Sequence, residues 1–254
     1  MAFESAKDYQ PGTEFQRILI TGGIGTGKSI YAASCETPGF VFCFDGKILP
    51  YSGKDWDYVT YEFSPLGWRS FERDFAQVGK LVKEGKYNSV VFDSTTSWQD
   101  LAMSNALALD ANRSEAGGPV WNIHYGIVRN LIEPKIRQAL SWPCNLVVVA
   151  HLEFKLDKEG NVLSIDPLLV GQLSTKVPGY FEEVYCAFTR QKEGKTEWYI
   201  RTAPRGHYKA RSELRGKEGF LPDELPNDYQ AVMDAFKKAK ELREKGKKND
   251  KEKK

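Results

Sequence analysis

The sequence predicts an α/β fold: a mostly parallel central sheet with helices on both faces, extended by antiparallel hairpins. Three observations carry this. Over the first 150 residues, short apolar runs of strand length alternate with segments of helical periodicity, the pattern of βαβ units. The runs are continuous rather than alternating, as expected for strands buried on both faces. After residue 150 the spacing changes to strand pairs around short polar turns, the pattern of hairpins.

Residues 17–21 (RILIT) form the first apolar run, and a glycine-rich turn follows them. Residues 28–35 read as a helix that stops before Pro38-Gly39. Residues 40–44 (FVFCF) are a strand, and 58–63 a further short one. Trp68, Phe71, Phe75, Val78 and Val82 recur at helical spacing, so 66–84 is an amphipathic helix with Gly85 as its C-terminal cap. Residues 89–92 make a strand ending in Asp93. Residues 97–109 and 120–140 are helical, the second with a kink or break at Pro134. Residues 146–150 (LVVVA) are a strand ending at His151. Segments 154–156 and 162–165 flank DKEGN, and 183–190 and 197–202 flank KEGK; each pair reads as a hairpin. Residues 227–245 make a final helix.

A chain of 254 residues supports one well-buried α/β domain. The parts expected are an N-terminal arm (1–16), a core (17–225), a C-terminal helix (226–246) and a basic disordered tail (247–254). No apolar run approaches the roughly 18 residues of a membrane span. The start, MAFESAKDYQPG, lacks the basic and apolar regions of a signal peptide, so a cytoplasmic protein with no membrane partner is expected. Cys35, Cys43, Cys144 and Cys186 form no CxxC pair and read as reduced structural thiols. The last eighteen residues hold ten Lys/Arg against four Asp/Glu, so the body is net negative beneath an overall charge of +2. Such a tail is a solvated end or a source of non-specific attraction to a phosphate backbone.

The sequence GGIGTGKS matches G-x-x-x-x-G-K-[ST], the P-loop. A strand precedes it and a helix follows, as the motif requires. The expected nucleotide-binding residues are Gly22, Gly23, Ile24, Gly25, Thr26, Gly27, Lys28, Ser29 and Ile30. Glycines let successive backbone N–H groups face phosphates, and the helix start adds its positive end. Lys28 supplies a point charge and Ser29 a hydroxyl for Mg²⁺, which makes ATP with Mg²⁺ the expected ligand pair. VVFDS offers Asp93 as the strand-end carboxylate that would hold a water on the metal, or else cap the next turn. Asp45 is a general base that orients the attacking water, or a turn-forming Asp-Gly. His151 points toward the γ-phosphate as a sensor, or is a buried histidine bonded to backbone.

These residues resemble the RecA-like P-loop ATPases, closest to the phage branch of nucleotide-binding proteins that includes RecA-like single-strand annealing proteins. GGIGTGKS, VVFDSTTSW, LVVVAHLE, PLLVGQLSTKVPGYFEEV and TAPRGHYKARSEL carry the resemblance across residues 17 to about 215. It implies an ATPase that assembles into a homo-oligomer, ring or filament, on single-stranded DNA, alongside a single-strand-binding protein, in the cytoplasm of a bacterial host. Asp45 falls where relatives often carry a catalytic glutamate, one methylene longer. His151 falls at the sensor position. Lys209-Ala-Arg211 resembles the K-x-R element that reaches a neighbour's site. Phe3-Glu4-Ser5-Ala6 resembles the F-x-x-A oligomerisation peptide, a pattern that recurs by accident at Phe236-Lys237-Lys238-Ala239. DNA would lie along loops 112–124 and 152–180, on Arg113, Trp121, Phe154, Lys155, Lys158 and Lys176. The competing expectations are an ATPase motor or helicase-loader subunit with a protein partner, and a small-molecule kinase, which an arginine-rich lid would favour but the sequence does not display.

Overall fold

The computed structural model describes residues 15–215 and 221–252. In chain order the elements are β1 (Arg17–Gly22), α1 (Lys28–Ala32), β2 (Gly39–Cys43), β3 (Trp56–Thr60), α2 (Pro65–Lys83), β4 (Ser89–Asp93), α3 (Thr95–Leu109) and α4 (Trp121–Ala139). They continue with β5 (Asn145–Leu156), β6 (Val162–Pro167), α5 (Leu173–Lys176), β7 (Glu183–Lys192), β8 (Lys195–Arg201), β9 (Arg211–Ser212), β10 (Glu224–Pro226) and α6 (Tyr229–Glu252). The strand order is β10-β8-β7-β1-β5-β4-β2-β3. From β7 to β3 every pairing is parallel. Strands β8 and β10 join antiparallel at one side. Strand β6 pairs with the far half of β5, and β9 with the start of β7.

The apolar runs are buried on both faces, which is why they are continuous. Leu19, Phe42, Val90, Phe92, Leu146 and Val148 meet α2, α3 and α4 on one face. Ile18, Ile20, Val41, Val91, Val147 and Val149 meet α1 and α6 on the other. The expected class, with a mostly parallel sheet, antiparallel extension and helices on both faces, is the one observed.

The amphipathic helix α2 matches its sequence reading closely. The Ser64 hydroxyl caps its start, accepting from the Gly67 amide at 3.1 Å. Gly85, at φ +78°, closes its end: its amide bonds the Val82 carbonyl, and the Lys86 amide bonds that of Leu81. This is the reciprocal pair a left-handed cap residue permits. The four cysteines are buried and unpaired, and burial pushes the Cys43 and Cys144 thiols up to about 12.

Several expectations need correction. α1 ends at Ala32 rather than at residue 35. Helix α4 is continuous through Pro134, so that proline does not break it. Strand β5 does not end at His151 but runs on to Leu156, leaving the main sheet to pair with β6. Most of segment 152–180 is therefore a hairpin followed by short helical turns, not a loop. Segment 112–124 is irregular up to α4, but His124 is a satisfied core histidine: its Nδ1 accepts from the Val120 amide at 2.8 Å, and Nε2 lies 3.2 Å from the Asp110 carbonyl. Helix α6 extends to Glu252, through residues expected to be a disordered tail; their Lys and Glu are good helix formers. The Phe3–Ala6 peptide lies outside the described residues.

Candidate nucleotide site

The P-loop is the turn from β1 into α1. Gly25 and Gly27 adopt φ +74° and +85°, backbone that glycine enters without strain. A Cβ on Gly27 would lie 2.5 Å from Asn227 Nδ2 and 2.9 Å from Trp198 Cδ1, so the position is closed sterically as well. Lys28, in the first turn of α1, is buried and folds back over the loop. Its Nζ donates to the carbonyls of Gly22 (3.1 Å) and Gly23 (2.7 Å). Burial lowers its pKa, with the nearby Asp93 charge acting in the opposite sense.

Strand β5 lies between β1 and β4, which sets the lateral order of the site. Gly22 is the register partner of His151, and Phe92 of Val148. Asp93 ends β4 at the same edge of the sheet, 3% exposed. It accepts from the Tyr51 hydroxyl at 3.1 Å and from the Ser29 hydroxyl. Burial pushes its carboxyl up to about 6, opposed by those two hydrogen bonds and by the Lys28 charge. Thus Lys28 and Ser29 from α1 converge with Asp93 from a strand two places away.

Asp45 follows β2. Its carboxylate accepts from its own turn at the Lys47 amide (3.1 Å) and pairs with the Lys47 ammonium at 3.0 Å. The Asp-Gly turn reading is therefore realised, since Gly46 has φ +74°. The carboxylate still lies near enough to raise the pKa of Asp93. His151 is half-buried, and burial lowers its pKa, with the charges of Lys28 and Lys47 adding to the effect. Its backbone carbonyl takes the Leu168 amide at 2.8 Å. A neutral imidazole at the mouth of the P-loop can donate to or accept from a phosphate oxygen or a water.

Three residues of this site escaped the sequence reading. Trp198 on β8 donates its indole N–H to the Gly25 carbonyl at 3.1 Å, while remaining 43% exposed. Asn227, just before α6, donates to the Gly27 carbonyl at 2.8 Å. Tyr51 orients Asp93. Each lies far from the P-loop in sequence, and no local pattern marks them; only the pairing of β7 with β1 and β8 brings Trp198 there.

Lys209 and Arg211 do not join the P-loop of their own chain. Lys209 pairs with the buried Asp166, which also pairs with Lys155 at 3.1 Å. Arg211 donates to the Phe181 carbonyl and sits on β9 opposite Val184, which is level with Leu19. That is three residues back from Gly22, roughly 10 Å down the sheet. The residues expected to meet DNA are scattered. Arg113 caps the end of α3, donating to the carbonyls of Leu107 (2.7 Å) and Asp110 (2.8 Å). Trp121 is 66% exposed and packs on Tyr125 at 4.4 Å beside a 490 Å³ groove that includes Asp100 and Glu153. Phe154 is exposed on the other side of the β5–β6 hairpin. Lys158 lies exposed at the tip of that hairpin, and Lys176 exposed on α5.

Among the described residues, no helix is long and apolar enough to cross a membrane. Nor do three His, Cys, Asp or Glu side chains converge as a metal cage. Mg²⁺ usually needs only one or two protein carboxylates, because substrate phosphates and water complete its shell. The hydroxyl of Ser29 beside the carboxylate of Asp93 fits that donor set.

The family described as AAA domain matches residues 14–214. A KaiC-like protein from the hyperthermophilic archaeon Pyrococcus horikoshii aligns over 78% of this chain and 82% of its own, at 15% identity and a TM-score of 0.40. No curated protein sequence matches the chain.

Proposed function

The chain belongs to the AAA domain family of P-loop ATPases, and from that premise we propose an ATP-dependent, homo-oligomeric binder of single-stranded DNA that promotes annealing or recombination. The cytoplasm of a phage-infected bacterium is the compartment this reading implies. The observation that carries the nucleotide part is the convergence of Lys28, Ser29 and Asp93 at one sheet edge. Ser29 and Asp93 would hold Mg²⁺, which supplies positive charge to the β- and γ-phosphates. Lys28 exchanges two loop carbonyls for phosphate oxygens. The P-loop amides and the start of α1 orient the phosphates. His151, held neutral by burial, hydrogen-bonds at the γ end, and Asp45 is the carboxylate available to orient a water.

The DNA part is supported by Phe154, a half-exposed ring on the β5–β6 hairpin that lines one recess with Arg201 and Arg205. A protein-directed ATPase motor or loader is the second reading. The carboxylates Asp100 and Glu153 beside Trp121 favour it, because they repel phosphates and attract cationic side chains.

Two measurements test this. Lys28→Ala should weaken ATP binding by at least about 30-fold, the lower end of losing one partner in a buried charge pair, with the fold intact. Unchanged affinity would refute the nucleotide assignment. The parent should bind oligo-dT more tightly with ATP than without it, and weaken as salt rises. No binding to single strands in the presence of ATP would transfer the case to the protein-partner reading.

A further inference from the structure

The β5–β6 hairpin and the segment after β8 enclose a recess of about 330 Å³, within the range of small-ligand sites. Phe154 and Ile165, register partners across the hairpin, line one wall. Arg201, Arg205, His207 and Tyr208 line the other. A second recess of about 410 Å³ adjoins it, sharing Gly206, His207 and Tyr208 and continuing along β6 past Leu163 to Lys209. The two make a groove that follows the hairpin.

The far wall is arginine-rich and aromatic. Arg201 lies 4.0 Å over the Phe188 ring and 5.1 Å from that of Tyr208. Arg190 lies 5.2 Å from both Phe188 and Tyr199. Three cations, Arg190, Arg201 and Arg205, converge on one carboxylate, Glu224. Glu197, opposite Arg190, has its carboxylate occupied by the Tyr199 hydroxyl at 2.5 Å. Glu224 and Glu197 set two negative charges against the three guanidinium groups, so the wall keeps a net positive charge of one. Arg205 is 68% exposed on its side chain and Phe154 50% exposed, so a ring and a fork both face solvent at the recess.

We infer that this groove, rather than segment 112–124, is where single-stranded nucleic acid binds: bases stack on Phe154 and Tyr208, and phosphates meet Arg205, with Arg201 behind it. The inference rests on the single-strand reading above and relocates its site. Interleaved rings and forks suit a single strand because stacking tolerates any base and guanidinium groups grip phosphates. The groove beside Trp121 is lined by two carboxylates, Asp100 and Glu153, against one cation, Lys155.

The test is oligo-dT binding by the full chain with ATP across a salt series. Phe154→Ala combined with Arg205→Gln should lower affinity about tenfold or more and flatten the salt slope by about 0.7, with ATP affinity and melting temperature unchanged. Trp121→Ala and Lys176→Gln should bind nearly as the parent does. If the parent binds and the groove variant binds equally well, the groove is refuted while the single-strand reading survives. If the parent binds no single strand, both fall together.

Discussion

The two sides of the sheet present opposite chemistry. From β7 to β3 the strands are parallel, the central ones (β1, β5 up to Ala150, β4 and β2) are buried on both faces, and their polar groups collect at one edge, where Lys28, Ser29, Asp93 and His151 meet. From β7 to β10 the pairing is antiparallel. There Ala187 and Ile200 face the core beneath α1, while Phe188, Arg190, Tyr199 and Arg201 face outward. A parallel sheet exposes functional side chains only at strand ends. An antiparallel extension offers a whole face, so its arginines and rings spread over a surface rather than a point.

Two buried carboxylates sharpen that contrast. Asp93 accepts from two hydroxyls at the P-loop edge, and burial holds its carboxyl up to about 6. Glu183, at the start of β7, is pushed by burial up to about 7. It accepts from the Tyr185 hydroxyl at 2.6 Å and from the amides of Glu213 and Leu214 at 2.9 and 3.2 Å. Glu183 thus pins the segment bearing Arg211, whereas Asp93 stands beside Lys28 and Ser29. The two carboxyls are raised to a similar extent, so a perturbed carboxyl marks a site only where its surroundings can take a ligand.

The largest expected effect follows for Asp93. Without nucleotide and metal, its ionised form at pH 8 carries a burial cost that Ser29, Tyr51 and the Lys28 charge offset only in part. Raising a carboxyl from near 4 to about 6 corresponds to about 3 kcal/mol. Asp93→Asn should therefore unfold at higher denaturant in chelator, yet lose ATP hydrolysis. A variant less stable than the parent would mean that Ser29 and Tyr51 already satisfy the charge.

The same contrast explains what the sequence made legible. RILIT, FVFCF, SVVF and LVVVA identify a parallel sheet because burial on both faces demands continuous apolar runs, and the P-loop motif then places the ligand. Gly85 and Ser64 mark α2 through local capping rules. Beyond residue 150 those constraints weaken. The hairpin of 154–156 with 162–165 is legible from its DKEGN turn, but its fusion with LVVVA into one strand is not, because HLEFKL mixes polar and apolar residues. Strands β9 and β10, of two and three residues, are too short to leave a pattern. Trp198 and Asn227 reach the P-loop only through sheet pairing and the path into α6. The arginine wall needs three strands to assemble, whereas the residues expected to meet DNA, Arg113, Trp121, Phe154, Lys155, Lys158 and Lys176, come from single segments.

A smaller effect tests Glu183. Its folded value of about 7 lies above the ordinary 4.5, so between those values the native state binds more protons than the unfolded chain. Stability is then highest at the acidic end of that window and falls as pH rises through it. For this group the loss between pH 5 and 8 is about 2 kcal/mol. Glu183→Gln should flatten the melting-temperature profile across that interval while leaving ATP affinity near the parent's. An unaltered profile would assign the slope to other groups.

The smallest effect lies where the two sides touch. Trp198 belongs to the antiparallel side, yet its indole N–H holds the Gly25 carbonyl of the P-loop. Asn227 holds the neighbouring Gly27 carbonyl from the other approach. These bonds leave the P-loop amides free for phosphates while fixing the loop's outer edge. Trp198→Phe keeps a ring over Gly27 but removes the donor, and one such bond contributes about 1 kcal/mol, or roughly fivefold in affinity. ATP should bind about fivefold more weakly, with the melting temperature little changed because the side chain is half exposed. The same substitution should remove most of the change in tryptophan emission on nucleotide binding, since Trp198 touches the loop directly. If affinity and emission both match the parent, the antiparallel side does not brace the P-loop, and the two sides share a sheet without sharing a function.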